Sequence, residues 1–77
     1  MFKETLAKNL KRARKSNNLT QQEVAYILKT SRSNIAKYEN GMLEPNIESI
    51  GRLAEIYNVS IDWLFGHNIY KQGERKL

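Results

Sequence analysis

The 77-residue sequence predicts an all-α fold, a compact bundle of five short helices that contains a helix-turn-helix. Three observations carry this expectation. Apolar residues recur at helical spacing, strand-like alternation is nowhere sustained, and a Ser, Thr or Asn precedes four of the apolar-periodic segments. Asn40-Gly41 follows a helical pattern and does not join two β-branched runs, so it is not read as a hairpin turn.

The first helix is expected over about residues 3–16. Phe2, Leu6, Leu10 and Ala13 share one face, and Lys8, Lys11, Arg12 and Lys15 occupy the opposite, solvated side. Asn17-Asn18 should end it, because asparagine tolerates a left-handed backbone. The second helix opens on Thr20 with Glu23 three residues later, the signature of a capping box, and Leu19 and Val24 form the matching hydrophobic staple. It runs through Leu28, with Tyr26 partly exposed. After a break at Lys29-Thr30, Ser31 caps a third helix that ends near Asn40, with Gly41 as terminator. Asn46 caps a fourth, which carries Ile47, Ile50, Leu53, Ala54 and Tyr57 and is closed by Asn58. Ser60 caps a short fifth helix, Ile61 to Phe65, with Val59 and Leu64 as a second staple and Gly66 at its end. Residues 1–66 therefore read as one domain. Residues 67–77 read as a polar tail, linker or dimerisation segment, with His67 exposed.

Composition excludes several functions. There is no cysteine and one histidine, which leaves no thiolate or imidazole cluster for a metal, and the absence of disulfides fits a reducing cytoplasm. No apolar run approaches the roughly 20 residues of a membrane span, and the N-terminus lacks the apolar stretch of a signal peptide. No Gly-rich phosphate loop, metal-ligand spacing or nucleophile–histidine pairing is present, so no enzyme, catalytic residue or cofactor is expected. The formal charge is +5 and unevenly placed. Residues 1–38 hold nine basic and two acidic groups, whereas residues 39–70 hold five acidic groups and only Arg52. Such a division suggests that one face meets a polyanion.

The segment 20–39 concentrates the functional signal: two short helices separated by a break of about four residues. A helix-turn-helix needs a second helix with an apolar back and a polar front. In helical projection Arg32, Ala36, Asn40, Ser33 and Lys37 follow one another around a single arc, while Ile35 and Tyr38 face the other way. The arc is guanidinium, hydroxyl, amide and ammonium around a small alanine, which permits close approach to base edges. The opposite side is a core stripe.

Leu19 through Ala25, Ser31 through Ile35, Tyr38-Glu39-Asn40-Gly41 and Pro45 resemble the phage repressor/Cro-type helix-turn-helix domains, the XRE family. Leu53 through Ser60 with Asp62-Trp63-Leu64 is similar to that family's fourth and fifth helices, so the likeness spans about residues 6–66. It implies base contacts from Arg32, Ser33 and Lys37 and phosphate contacts from Gln21, Asn34 and Asn40, with Gln21 also able to brace the recognition helix. It further implies a buried or half-buried ion pair between Arg14 and Glu39. In projection Arg14 lies about 80° from Leu6, at the edge of the apolar stripe, which is compatible with that role. One feature departs from the family pattern: Lys29 stands where members usually have glycine and Thr30 where they have an aliphatic residue. Either Lys29 is held in a strained left-handed conformation or the turn has a different backbone.

The resemblance implies a cytoplasmic, nucleoid-associated transcriptional regulator of bacterial or phage origin. Its partner would be double-stranded operator DNA, and it would act as a repressor and as a homodimer on a two-fold site. Trp63, Phe65, Ile69 and Tyr70 offer a candidate dimer surface, against the alternative of ordinary core packing. Two other readings stand beside it: an antitoxin-like module with a protein partner, and the DNA-binding part of a longer repressor.

Overall fold

The computed structural model, which describes residues 2–66 and side chains from residue 3 onward, runs as five helices: α1 (Phe2–Ser16), α2 (Gln21–Leu28), α3 (Arg32–Glu39), α4 (Ile47–Tyr57) and α5 (Ile61–Leu64). No strand occurs among the described residues. The last four helices each start where an oxygen-bearing side chain covers an otherwise unpaired backbone N–H. Thr20 Oγ1 accepts from the Glu23 amide at 3.0 Å, and Glu23 Oε1 accepts from the Thr20 amide at 2.8 Å, completing the capping box. Ser31, Asn46 and Ser60 accept from Asn34, Ser49 and Trp63 in the same way. The fifth helix is one residue shorter than expected, with Phe65 as its C-cap.

Helix ends depend on left-handed residues. Asn18 and Asn58 both take φ of 57°, and Gly41 and Gly66 take 80° and 84°. Lys29, in the α2–α3 turn, has φ 62° and ψ 49°. Of the two alternatives for this turn, the chain adopts the left-handed one, despite the cost of a Cβ there. The Lys29 amide donates to the Ala25 and Tyr26 carbonyls and the Thr30 amide to Ala25 at 2.9 Å, which satisfies the end of α2 and turns the chain sharply into α3. Replacing Lys29 with glycine is expected to raise stability by about 1 kcal/mol, a gain of about 4–8 °C in Tm for a domain this small. Thermal melts of the two proteins check this.

The core is assembled from one face of each helix: Leu6 and Leu10 from α1, Val24 from α2, Ile35 from α3, Leu53 from α4 and Leu64 from α5, all almost fully buried. Leu19 and Val59, the outer residues of the two staples, pack against it. Two apolar expectations are corrected. Ile47 is 80% exposed: projection aligns it with Ala54, but it sits on the first turn of α4, where no neighbouring element covers it. Tyr26 is 83% exposed, so the outward face of α2 leaves its ring in solvent instead of half-hiding it. Lys8, Lys11, Arg12 and Lys15 are exposed as expected, and the Arg12 guanidinium in addition lies 5.7 Å from the centroid of the Trp63 ring. The side chain of Phe2, and His67 with the rest of the tail, lie outside the described residues.

Polar side chains close several helix C-termini. Asn9, buried on α1, donates to the Trp63 and Leu64 carbonyls at 3.1 and 3.2 Å. Asn17 donates to the Tyr57 carbonyl at 3.1 Å, and Arg52 donates to the Ile27 carbonyl at 3.0 Å. Each contact places a donor on a carbonyl in the last turn of a helix and ties that helix to another element; the Trp63 carbonyl also accepts from the Gly66 amide at 3.0 Å. Tyr57 is buried beneath this layer. Burial first, and the nearby Glu39 carboxylate second, push its phenol well above the usual tyrosine range. The folded chain therefore holds the proton more tightly than the unfolded chain. This stabilisation is complete below the unfolded value near pH 10 and declines as pH rises beyond it. Urea midpoints measured from pH 9 to 12 should fall more steeply for wild type than for Tyr57→Phe.

Candidate nucleic-acid interface

The site is built on α3, which is short and has its apolar back, Ile35, sealed into the core. Anchoring one side presents the other rigidly. Arg32, Ser33 and Lys37 are all exposed there, with Ala36 half-buried between them. Asn40, at the C-cap, is exposed as well; its Oδ1 accepts from the Met42 amide at 3.1 Å and shapes the turn after α3. Asn34 is half-buried, and its amide nitrogen donates to Thr30 Oγ1 at 2.8 Å, which directs it toward the α2–α3 turn.

The start of α2 meets α3 at Gln21. Its Oε1 accepts from Arg32 Nη1 at 2.8 Å and its Nε2 donates to Glu39 Oε1 at 3.1 Å. Behind this, Arg14 and Glu39 come together. Arg14 Nε donates to Glu39 Oε2 at 2.7 Å and Nη2 to Oε1 at 3.0 Å, a bidentate pair with side chains only 11% and 4% exposed. Arg14 Nη1 also donates to the Leu19 carbonyl at 2.9 Å, so the guanidinium spans α1, the loop before α2 and the end of α3. The hydrogen bond to Glu39 raises the arginine's pKa against the opposing effect of burial, which keeps it charged at every accessible pH.

Trp63 and Phe65 are half-buried and pack against the core. Ile69 and Tyr70 lie outside the described residues. Among the described residues no group of three or more His, Cys, Asp or Glu could hold a metal, and no helix is long and apolar enough to cross a membrane. Sequence reasoning missed the roles of Asn9, Asn17 and Arg52, and the contact between Gln21 and Glu39. A signal existed for the asparagines, since in projection Asn9 and Asn17 lie about 60° and about 20° from Leu6, polar residues beside or within an apolar stripe. Nothing local marked Arg52.

The geometry can serve recognition of a grooved polyanion: a rigid helix bears donors on its outer face, and the start of α2 meets that face where Gln21 contacts Arg32. Comparison with known proteins agrees with this architecture. Over 74 residues, 95% of its length, the chain is 35% identical to the HTH-type transcriptional regulator ImmR of Bacillus subtilis (strain 168), spanning 58% of that protein. Over 55 residues, 71% of its length, it is 40% identical to the antitoxin PezA of Streptococcus pneumoniae serotype 4, spanning 35% of it. Over a stretch of the same length it is 40% identical to the HTH-type transcriptional activator BcrR of Enterococcus faecalis, spanning 27%. The chain thus covers about half or less of the length of these relatives. A family model described as helix-turn-helix matches residues 10–64, which includes every residue of α2, α3 and α4. The chain belongs to the helix-turn-helix family of phage repressor/Cro type.

Proposed function

We propose that this chain is a sequence-specific, double-stranded-DNA-binding transcriptional regulator, a binding protein and not an enzyme, acting in the cytoplasm as a homodimeric repressor. The observation that carries the reading is the outer face of α3, where Arg32, Ser33 and Lys37 stand exposed on a helix whose opposite side is locked into the core. Arg32 and Lys37 donate to guanine O6 and N7, and Ser33 adds a hydroxyl that can pair with any base. Asn40, Asn34 and the α2 terminus at Gln21 hold phosphates and set the register. Residues 1–66 form the DNA-binding domain. Trp63 and Phe65, with Ile69 and Tyr70 of the 67–77 segment, contribute to the dimer contact. Two α3 helices then enter successive major grooves about 34 Å apart and occlude polymerase.

Selection of bound DNA from a random pool tests this reading. A two-fold motif is expected, with affinity falling steeply as salt rises because basic groups displace counterions from phosphates. A pool that enriches nothing overturns DNA reading, and a single half-site bound by a monomer overturns the homodimer. A second reading, an antitoxin-like module that neutralises a protein partner, is favoured by the likeness to PezA across 71% of the chain. Co-purification of one stoichiometric partner from the native host, cross-linked to it through residues 61–77, would support it. The 58% coverage of ImmR favours a third, in which the chain is the DNA-binding part of a longer regulator.

A further inference from the structure

Four side chains from three helices form one continuous hydrogen-bonded series. Arg14 holds both oxygens of Glu39, Glu39 Oε1 accepts from Gln21 Nε2, and Gln21 Oε1 accepts from Arg32 Nη1. The series runs from the interior to the surface: Glu39 is almost fully buried, Gln21 is half-buried and Arg32 is exposed. Its chemistry is directional. A carboxylate can only accept and a guanidinium can only donate, so one orientation of the Gln21 amide satisfies both neighbours, with its NH2 inward and its carbonyl outward. The bidentate grip of Arg14 fixes where Glu39 presents Oε1, and so where the Gln21 amide must lie.

The outward carbonyl engages one of the five N–H donors of Arg32 and leaves enough for the two-pronged contact that guanine O6 and N7 require. Tethering a long side chain at one point removes rotamers that DNA binding would otherwise have to freeze. We propose that Glu39 is a specificity-positioning residue: its buried carboxylate sets the Gln21 amide, and Gln21 holds Arg32 in the orientation that reads guanine. This rests on the DNA-reading function proposed above. It gives the buried ion pair a part in sequence preference that is separable from its part in stability.

The separation can be tested because apolar residues of similar volume commonly replace a buried ion pair with little loss of stability. Wild type, Arg32→Ala and the double variant Arg14→Met/Glu39→Met are melted, then each selects DNA from a random pool. Wild type enriches a motif, and Arg32→Ala loses the preference for one base pair in each half-site. The folded double variant is expected to lose about tenfold of that same preference, within what one bidentate contact carries, and to keep the rest of the motif. In the Arg32→Ala background the double change should add nothing at that position. A folded double variant that prefers this base as strongly as wild type overturns the inference, since a merely structural pair would leave base preference untouched. If the double variant does not fold, Glu39→Gln decides in the same way at a temperature where circular dichroism shows it folded, because an amide there donates as well as accepts and lets Gln21 turn over. No motif with wild type overturns DNA reading itself, and a motif unaffected by Arg32→Ala overturns the base contact. Both results are distinct from failure of the Glu39 positioning.

Discussion

Replacing Arg14 with methionine is expected to lower stability by about 3–5 kcal/mol, a large share of the roughly 5–15 kcal/mol that holds a small domain folded. The reason is asymmetric. The ion pair itself adds little beyond what a well-packed apolar pair would, because two charges must leave water to form it. Removing only the cation leaves the Glu39 carboxylate, 4% exposed, without its two guanidinium donors and with the Gln21 amide still donating to it. The Leu19 carbonyl loses its guanidinium donor as well. Urea or thermal unfolding measures the effect, and adding Glu39→Met should recover most of it. A single variant that melts with wild type would sink the claim that the charge is held out of water. DNA affinity should fall with stability in the single variant, because α2 and α3 are both tied to this pair.

Arg32→Ala and Lys37→Ala are each expected to reduce discrimination at one base pair per half-site by about 5- to 150-fold, the equivalent of roughly 1–3 kcal/mol per bidentate contact. Asn40→Ala, in contrast, should weaken all sequences alike, since a phosphate contact carries no base information. Competition binding against sites altered one base pair at a time separates the two behaviours. A uniform loss for Arg32→Ala would move that residue from base reading to backbone anchoring. Gln21 divides between the roles: its side-chain oxygen is engaged by Arg32 and the Glu23 amide by Thr20, so a phosphate contact here would fall to the backbone amides of Gln21 and Gln22.

The helix starts were legible because caps are local. Thr20 with Glu23, Ser31, Asn46 and Ser60 each act on an amide three residues away, a spacing readable in any sequence. The core stripes of α1 and α4 were legible from periodicity, with Ile47 as the exception, because periodicity gives direction but not how far the covering neighbours extend. Lys29 was legible as a problem and not as a solution. The sequence placed a non-glycine residue at a turn that favours glycine, and only the backbone shows that the turn geometry was kept and the strain accepted.

What the sequence by itself determined was the all-α class, the helix order, the family and the polar outer face of α3, since each depends on spacings of three or four residues or on motifs read along the chain. Tertiary structure decided which polar groups leave solvent and whom they meet. Asn9 reaches carbonyls 54 and 55 positions away, Arg52 reaches back 24 and 25 positions to the end of α2, and Glu39 gathers Arg14 and Gln21 from two other helices. Such contacts depend on how helices cross, and no local pattern encodes that. A buried carboxylate must find donors wherever packing has placed them. In this domain packing placed them in line with Arg32.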